Sequence, residues 1–241
     1  KMEIRAVFNL SQRNSDKLMK NRQSGNAMIY ILIALALLGA LTMVLSRGGN
    51  EGGDSLAEDQ AELLTTRMSA TAGAVKGVVD QMMMSGTAIA SLNFITPDDA
   101  AYDTPPNHNK VFHPDGGGLT LDADPKLFTG ADTTPEPGWY LGRFNNIAWT
   151  PTAANDIVLA AHDISSAVCA NINEKITGDD TIPALAGTGD PATYFINTSF
   201  GGPANANLTA TECAACEGFP QLCVSDTGGT QFTYYSIISG Q

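Results

Sequence analysis

Basic residues are scarce in this 241-residue chain: 13 Lys and Arg stand against 25 Asp and Glu. The few bases are also unevenly placed. Lys1, Arg5, Arg13, Lys17, Lys20 and Arg22 precede residue 46 beside only Glu3 and Asp16, so residues 46–241 keep seven bases against 23 acids, a net charge of −16. An acidic body of that kind repels phosphate backbones and anionic lipid, and no nucleic-acid partner is expected. Catalytic signatures are missing as well. There is no G-x-S-x-G elbow and no H-E-x-x-H pair, and Gly116-Gly-Gly118 lacks the Lys-Ser/Thr of a phosphate loop, which leaves a turn needing permissive backbone angles. The three histidines, His108, His113 and His162, show no spacing that pairs a base with a nucleophile, and each reads as a loop or surface residue. The chain is expected to be no enzyme and to need no cofactor.

What the sequence does contain is a long apolar run. Ala27 to Leu45 holds nineteen residues without a charge, directly after the basic stretch Lys20-Asn-Arg-Gln-Ser-Gly25. As a helix rising about 1.5 Å per residue it covers roughly 28 Å, close to the hydrocarbon thickness of a bilayer. The upstream bases place the N-terminus in the cytoplasm and the acidic remainder outside. Three readings fit a run of this kind. A secretory signal peptide has a shorter core of about 7 to 15 residues and a small-x-small cleavage site, which Ser46-Arg47-Gly48 matches poorly. A plain signal anchor fits length and charge. The third reading is a prepilin leader, cut on the cytoplasmic side after a glycine so that the apolar helix stays on the mature protein.

Met19-Lys-Asn-Arg-Gln-Ser-Gly25 followed by Asn26-Ala-Met-Ile-Tyr-Ile-Leu32 resembles such a leader, seven residues long when counted from Met19. The resemblance is to type IV pilin-like proteins. It implies an inner-membrane precursor processed between Gly25 and Asn26 by a prepilin peptidase, with a helix able to serve as the spine of a filament or pseudopilus. Two positions depart from the family pattern. Tyr30 stands at the fifth mature position, where assembling pilins carry Glu, and Asn26 stands where Phe is usual. Cleavage survives these departures better than polymerisation does.

Beyond the run, Gly48-Gly-Asn-Glu-Gly-Gly53 breaks the helix, because glycine costs roughly 1 kcal/mol relative to alanine in a helix interior. Ser55-Leu-Ala-Glu58 has the form of a capping box that starts a second helix. Leu56, Gln60, Leu63, Leu64, Arg67, Met68, Thr71, Ala72, Val75, Val78, Val79 and Met82 recur at spacings of three and four, a mostly apolar stripe aimed at a globular head. Met82, Met83 and Met84 point in different directions on a helix and read as packing residues rather than a soft-metal site. The helix is expected to end at Thr96-Pro97, since the residue before proline avoids helical angles.

Residues 96–241 alternate short apolar runs with Gly, Pro, Asn and Asp clusters. Expected strands are Lys110 to Phe112, Leu119 to Leu121, Trp139 to Phe144, Asn146 to Thr150, Ile157 to Ala161, Thr193 to Ile196 and Gln231 to Ile238. Ser165 to Ile176 reads as a short helix with Val168, Cys169, Ile172 and Ile176 on one face. Trp139, Tyr140, Phe144 and Trp149 read as core aromatics of a hairpin. The whole is an α+β plan: cytoplasmic leader 1–25, transmembrane helix 26–46, glycine break 47–54, amphipathic helix 55–95 and a strand-rich, pilin-like head 96–241. Val111-Phe-His-Pro-Asp-Gly-Gly-Gly118, Asp163-Ile-Ser-Ser-Ala-Val-Cys-Ala-Asn-Ile-Asn173 and the closing Phe232-Thr-Tyr-Tyr235 add a resemblance to prepilin-like proteins of alphaproteobacterial type.

Cys169, Cys213, Cys216 and Cys223 all fall in the head, outside the cytoplasm by the charge rule, and an even count there favours two disulfides. Cys213 with Cys216 and Cys169 with Cys223 is the expected allocation, although the sequence leaves three connectivities open. Zinc is the rival use of four thiolates, but only one C-x-x-C exists. Asp98-Asp99, Asp122-Ala-Asp124 and Asp179-Asp180 match no calcium-loop pattern and read as solvated acidic loops. No metal site is expected. The function expected is a pilin-like or pseudopilin-like structural subunit, with the inner membrane, a prepilin peptidase and other pilin-like subunits as partners. The alternative is a single-pass binding module that never polymerises and presents its head, in the periplasm or at the surface, to a protein or glycan.

Overall fold

The computed structural model describes residues 31, 33, 35, 38, 59–121, 126–128, 135–143, 145–187, 189–196 and 205–240. The chain divides into two compact units, 1–57 and 58–241. In the first, Ile31, Ile33, Leu35 and Leu38 are helical, with side chains 59%, 50%, 62% and 63% exposed. Gly25, Asn26, Tyr30, the glycine break and the capping box lie outside the described residues. Among the described residues no helix is long and apolar enough to cross a membrane.

The second unit is α+β, a long helix packed on a four-stranded antiparallel sheet. Helix α1 is described over 59–84. Its buried apolar residues are Ala61, Leu64, Met68, Ala72, Val75, Val79 and Met82, one stripe at spacings of three and four. That stripe is narrower than expected, for Leu63 is 54% exposed and Arg67 is exposed.

Helix α1 also stops earlier than Pro97 would require. Gly86 takes φ +97, its N–H donates to Met83 O (3.0 Å) and the Thr87 N–H to Met82 O (3.1 Å). This is a Schellman cap, and glycine supplies the left-handed residue it needs. Residues 89–91 then form a single 3-10 turn instead of further α-helix.

Strands β1 (Gly138–Arg143), β2 (Ile157–His162), β3 (Gln221–Ser225) and β4 (Phe232–Ser239) pair in the order β1-β2-β4-β3. The last strand in sequence therefore lies inside the sheet, beside β2. All six residues of β2 are buried, which explains why Ile157 to Ala161 reads as a continuous apolar run rather than an alternating one. One sheet face, with Leu141, Ile157, Leu159 and Ile238, meets Ala72, Val75, Val79 and Met82 of α1. The opposite face, with Val158, Ala160, Leu222, Val224 and Tyr235, is covered by a layer with little regular structure containing Leu185, Tyr194, Phe195 and Leu208. Phe195 stacks on Tyr235 in that layer, with ring centroids 4.9 Å apart. Lys76 ties α1 to the end of β4 by donating to Ile238 O at 3.2 Å.

Helix α2 (Ser166–Thr177) follows β2 after Asp163, whose φ of +60 turns the chain. Ser165 caps it by accepting the Val168 N–H, and Gly178, at φ +80, ends it. Val168, Cys169 and Ile172 are buried, with Ile176 partly buried beside them.

Several expected strands have other structures. Lys110 makes one isolated bridge with Asn93, 119–121 is unpaired loop, and Asn146 to Thr150 contributes a single bridge, Ile147 with Leu208, before a turn. Apolar content alone does not make a strand where no neighbouring edge is free to pair. Thr193 to Ile196 falls instead on a short helix, α3 (Ala192–Phe195), started by the Asp190 carboxylate accepting the Ala192 N–H at 2.8 Å. Strand β1 pairs with β2 rather than with 146–150. Trp149 sits in the loop between them and packs on the core, and Phe144 lies outside the described residues. Strand β3, hidden in sequence by the neighbouring cysteine-rich loop, was not expected at all.

Two disulfides join Cys169 to Cys223 and Cys213 to Cys216. The first links α2 to β3. Beside it, Asn173 Nδ2 donates to Cys223 O (2.9 Å) and its Oδ1 accepts the Cys223 N–H (2.8 Å), so one side chain does the work of a neighbouring strand at that edge. The two crosslinks differ in sequence separation, 54 against 3, and the longer loop restricts the unfolded chain more. Replacing Cys169 and Cys223 together by Ala should lower unfolding stability by about 4 kcal/mol, against about 2 kcal/mol for Cys213 and Cys216. Denaturant titration of both double variants checks this, and equal losses would contradict it.

Candidate functional site

The loops at the C-terminal end of α1 are organised by a buried ammonium. Lys110 is only 3% exposed, and its Nζ donates to Ala101 O (2.9 Å), Tyr102 O, Thr104 O and Asn107 Oδ1 (2.9 Å). An ammonium has three donors and tolerates burial only when oxygens replace its hydration. The four acceptors therefore fold 101–107 around one point.

Next to it His113, expected as a loop or surface residue, lies in a loop but is only 7% exposed. Its Nδ1 accepts the Asp115 N–H at 3.1 Å, its Nε2 faces Asp103 Oδ1 at 3.5 Å, and its ring lies 4.9 Å from that of Tyr102. The Tyr102 hydroxyl donates to Phe112 O at 2.8 Å. The histidine is a structural wedge between two loop segments, held by aromatic contact that residue spacing could not show.

Gly116 and Gly117 bring this loop against α1. A Cβ on Gly116 would come within 2.2 Å of Lys110 O, and one on Gly117 within 2.4 Å of Val111 O and 2.9 Å of the Met82 sulfur. Both glycines lie in the turn expected of them, the Gly116 N–H donating to His113 O at 2.9 Å, and the close approach is what leaves no room for a side chain there. Only Gly118, at φ +61, uses glycine's conformational freedom.

Between loop and helix lies a cleft of about 280 Å³. Val78 and Met82 form its apolar wall, and Gly116 and Gly117 its floor. Gln81, Ser85 and Thr87 stand on the helix side, with His108 and Asp115 opposite. The Ser85 hydroxyl donates to Gln81 O (2.9 Å), whereas the side chains of Gln81, Thr87 and His108 make no hydrogen bond among the described residues. Of these groups Gln81, Ser85 and Thr87 drew no notice in sequence. They come together solely because α1 ends at Gly86.

The remaining candidates do not converge on this cleft. The cysteines are spent in disulfides, Cys213–Cys216 across a 3-10 turn in the layer opposite α1. Asp99 and Asp179 turn back on their own loops, accepting the Ala101 and Thr181 N–H groups respectively, while Asp122 and Asp124 lie outside the described residues. Among the described residues no three His, Cys, Asp or Glu are grouped to hold a metal ion.

His162, also expected as a loop or surface residue, is instead the last residue of β2 and fully buried. Its Nδ1 shares a hydrogen bond with Thr233 Oγ1 at 2.9 Å, its Nε2 has no partner, and the Tyr140 ring lies edge-on at 6.5 Å.

Searches against family models, curated proteins and solved structures match nothing to this chain.

Burial lowers the pKa of His162, against a smaller opposite pull from Asp163 and Asp190. The unfolded chain therefore takes up the proton first, and stability is lost as pH falls through the ordinary imidazole value of 6.5. Wild type should lose stability relative to His162→Gln between pH 7 and 5, by up to about 1.4 kcal/mol per pH unit. Paired denaturant titrations across that range check this, and a pH-independent difference would contradict it.

Proposed function

We propose that this chain is a pilin-like structural subunit, held in the bacterial inner membrane by helix 26–46 with its disulfide-braced head outside the cytoplasm. A prepilin peptidase cuts between Gly25 and Asn26, and the apolar helix then joins neighbouring pilin-like subunits in a filament or pseudopilus. The observation that carries this reading is the row of Ile31, Ile33, Leu35 and Leu38, helical and half to two-thirds exposed. Aliphatic side chains concentrated on one helix need lipid or another protein against them. A long helix packed on one face of an antiparallel sheet, with the other face covered by a disulfide-linked layer, suits such a head. The basic leader ending in Gly25 supplies the processing signal.

A second reading is a membrane-held binding module that does not polymerise. Tyr30 at the position of the family's glutamate favours it, as does the open cleft at the end of α1.

Mass spectrometry of the membrane form, from cells with and without a prepilin peptidase, should show a chain beginning at Asn26 only where the peptidase is present. An uncut N-terminus in both removes the pilin reading. If cleavage occurs, shearing the cells should release the protein with filaments. Retention entirely in membranes would favour the binding module.

A further inference from the structure

The cleft at the end of α1 has no part in membrane anchoring or processing, yet its groups are those of a ligand site. We infer that it binds a primary alkylammonium group, the lysine side chain of a partner polypeptide. Asp115 contributes a carboxylate that lies 3.8 Å from His113 Nδ1 on one side and, at 75% exposed, is open to the cleft on the other. Gln81 and Thr87 offer oxygens that no other described residue uses, enough to complete the three acceptors an ammonium seeks. Helix α1 presents its C-terminal end there, the pole of a helix that favours cations.

Along the wall, Val78 and Met82 provide an apolar track for a four-carbon stem, which buries its methylenes while the charged head stays among oxygens. About 280 Å³ is room enough for one such side chain.

The protein's own Lys110 cannot fill the site, because its ammonium is enclosed by the four oxygens of the adjoining loop. The charge of −16 on residues 46–241 draws cationic partners toward this surface.

The test uses the full chain in detergent micelles with methyl-labelled methionine, titrated with Nα-acetyl-lysine methylamide and with its norleucine counterpart, which has no amine. The lysine compound should shift the Met82 methyl signal saturably. Its affinity should fall by up to roughly fivefold in Asp115→Asn, the loss expected for one exposed ion pair. Thr87→Val gives a second reading of the same site if Asp115→Asn disturbs the fold. Equal binding of the norleucine compound, unchanged affinity in both variants, or no saturable shift overturns the proposal. A tripeptide with leucine on each side of lysine should bind more tightly than the single residue, and equal affinity would overturn the polypeptide assignment.

Discussion

The burial of one stripe of α1 against one face of the sheet is the interaction on which the rest of the second unit depends. Met68, Val75 and Val79 are each 0% exposed, and each full burial of such a side chain is worth about 1.5–3 kcal/mol. The sheet is the stripe's partner, and β2 is its centre. Because β2 is buried on both faces, it cannot lose its α1 contacts without also loosening the layer opposite. The loops after α1 rest on the same helix, for Gly117 lies against Val78 and Met82.

The face away from α1 is built differently. It has little regular secondary structure, so its order depends on aromatic stacking, as in Phe195 on Tyr235, and on the short Cys213–Cys216 link. On the α1 side the edge strand β3 is held by α2 through the Cys169–Cys223 bond and the Asn173 carboxamide. The two crosslinks therefore serve opposite faces of one sheet.

Some of this is legible in the sequence. The period of α1, the continuous run of β2, the stripe of α2 and the short apolar run of β4 are local patterns, and each fixes an element's type. Other features depend on distant partners. Lys110 to Phe112 and Asn146 to Thr150 look like strands but find no edge to pair, while Gln221–Ser225 becomes a strand because β4 and Asn173 flank it. The end of α1 was misplaced because Pro97 is a strong signal and Gly86 a weak one until its two cap hydrogen bonds are seen. The cleft was hidden for the same reason. Its groups come from 78–87 and 108–117, which only the close approach of two glycines brings together.

Helix α1 and the sheet thus form one cooperative unit that carries the cleft at its end. Hydrogen exchange of Val75→Ala tests this most directly, since Val75 touches the sheet and not the cleft. Loss of that side chain should cost roughly 2 kcal/mol and speed exchange of the slowest amides in α1 and β2 alike, by about thirtyfold. Faster exchange in α1 with β2 unchanged would contradict the account, because helix and sheet would then be separately stable.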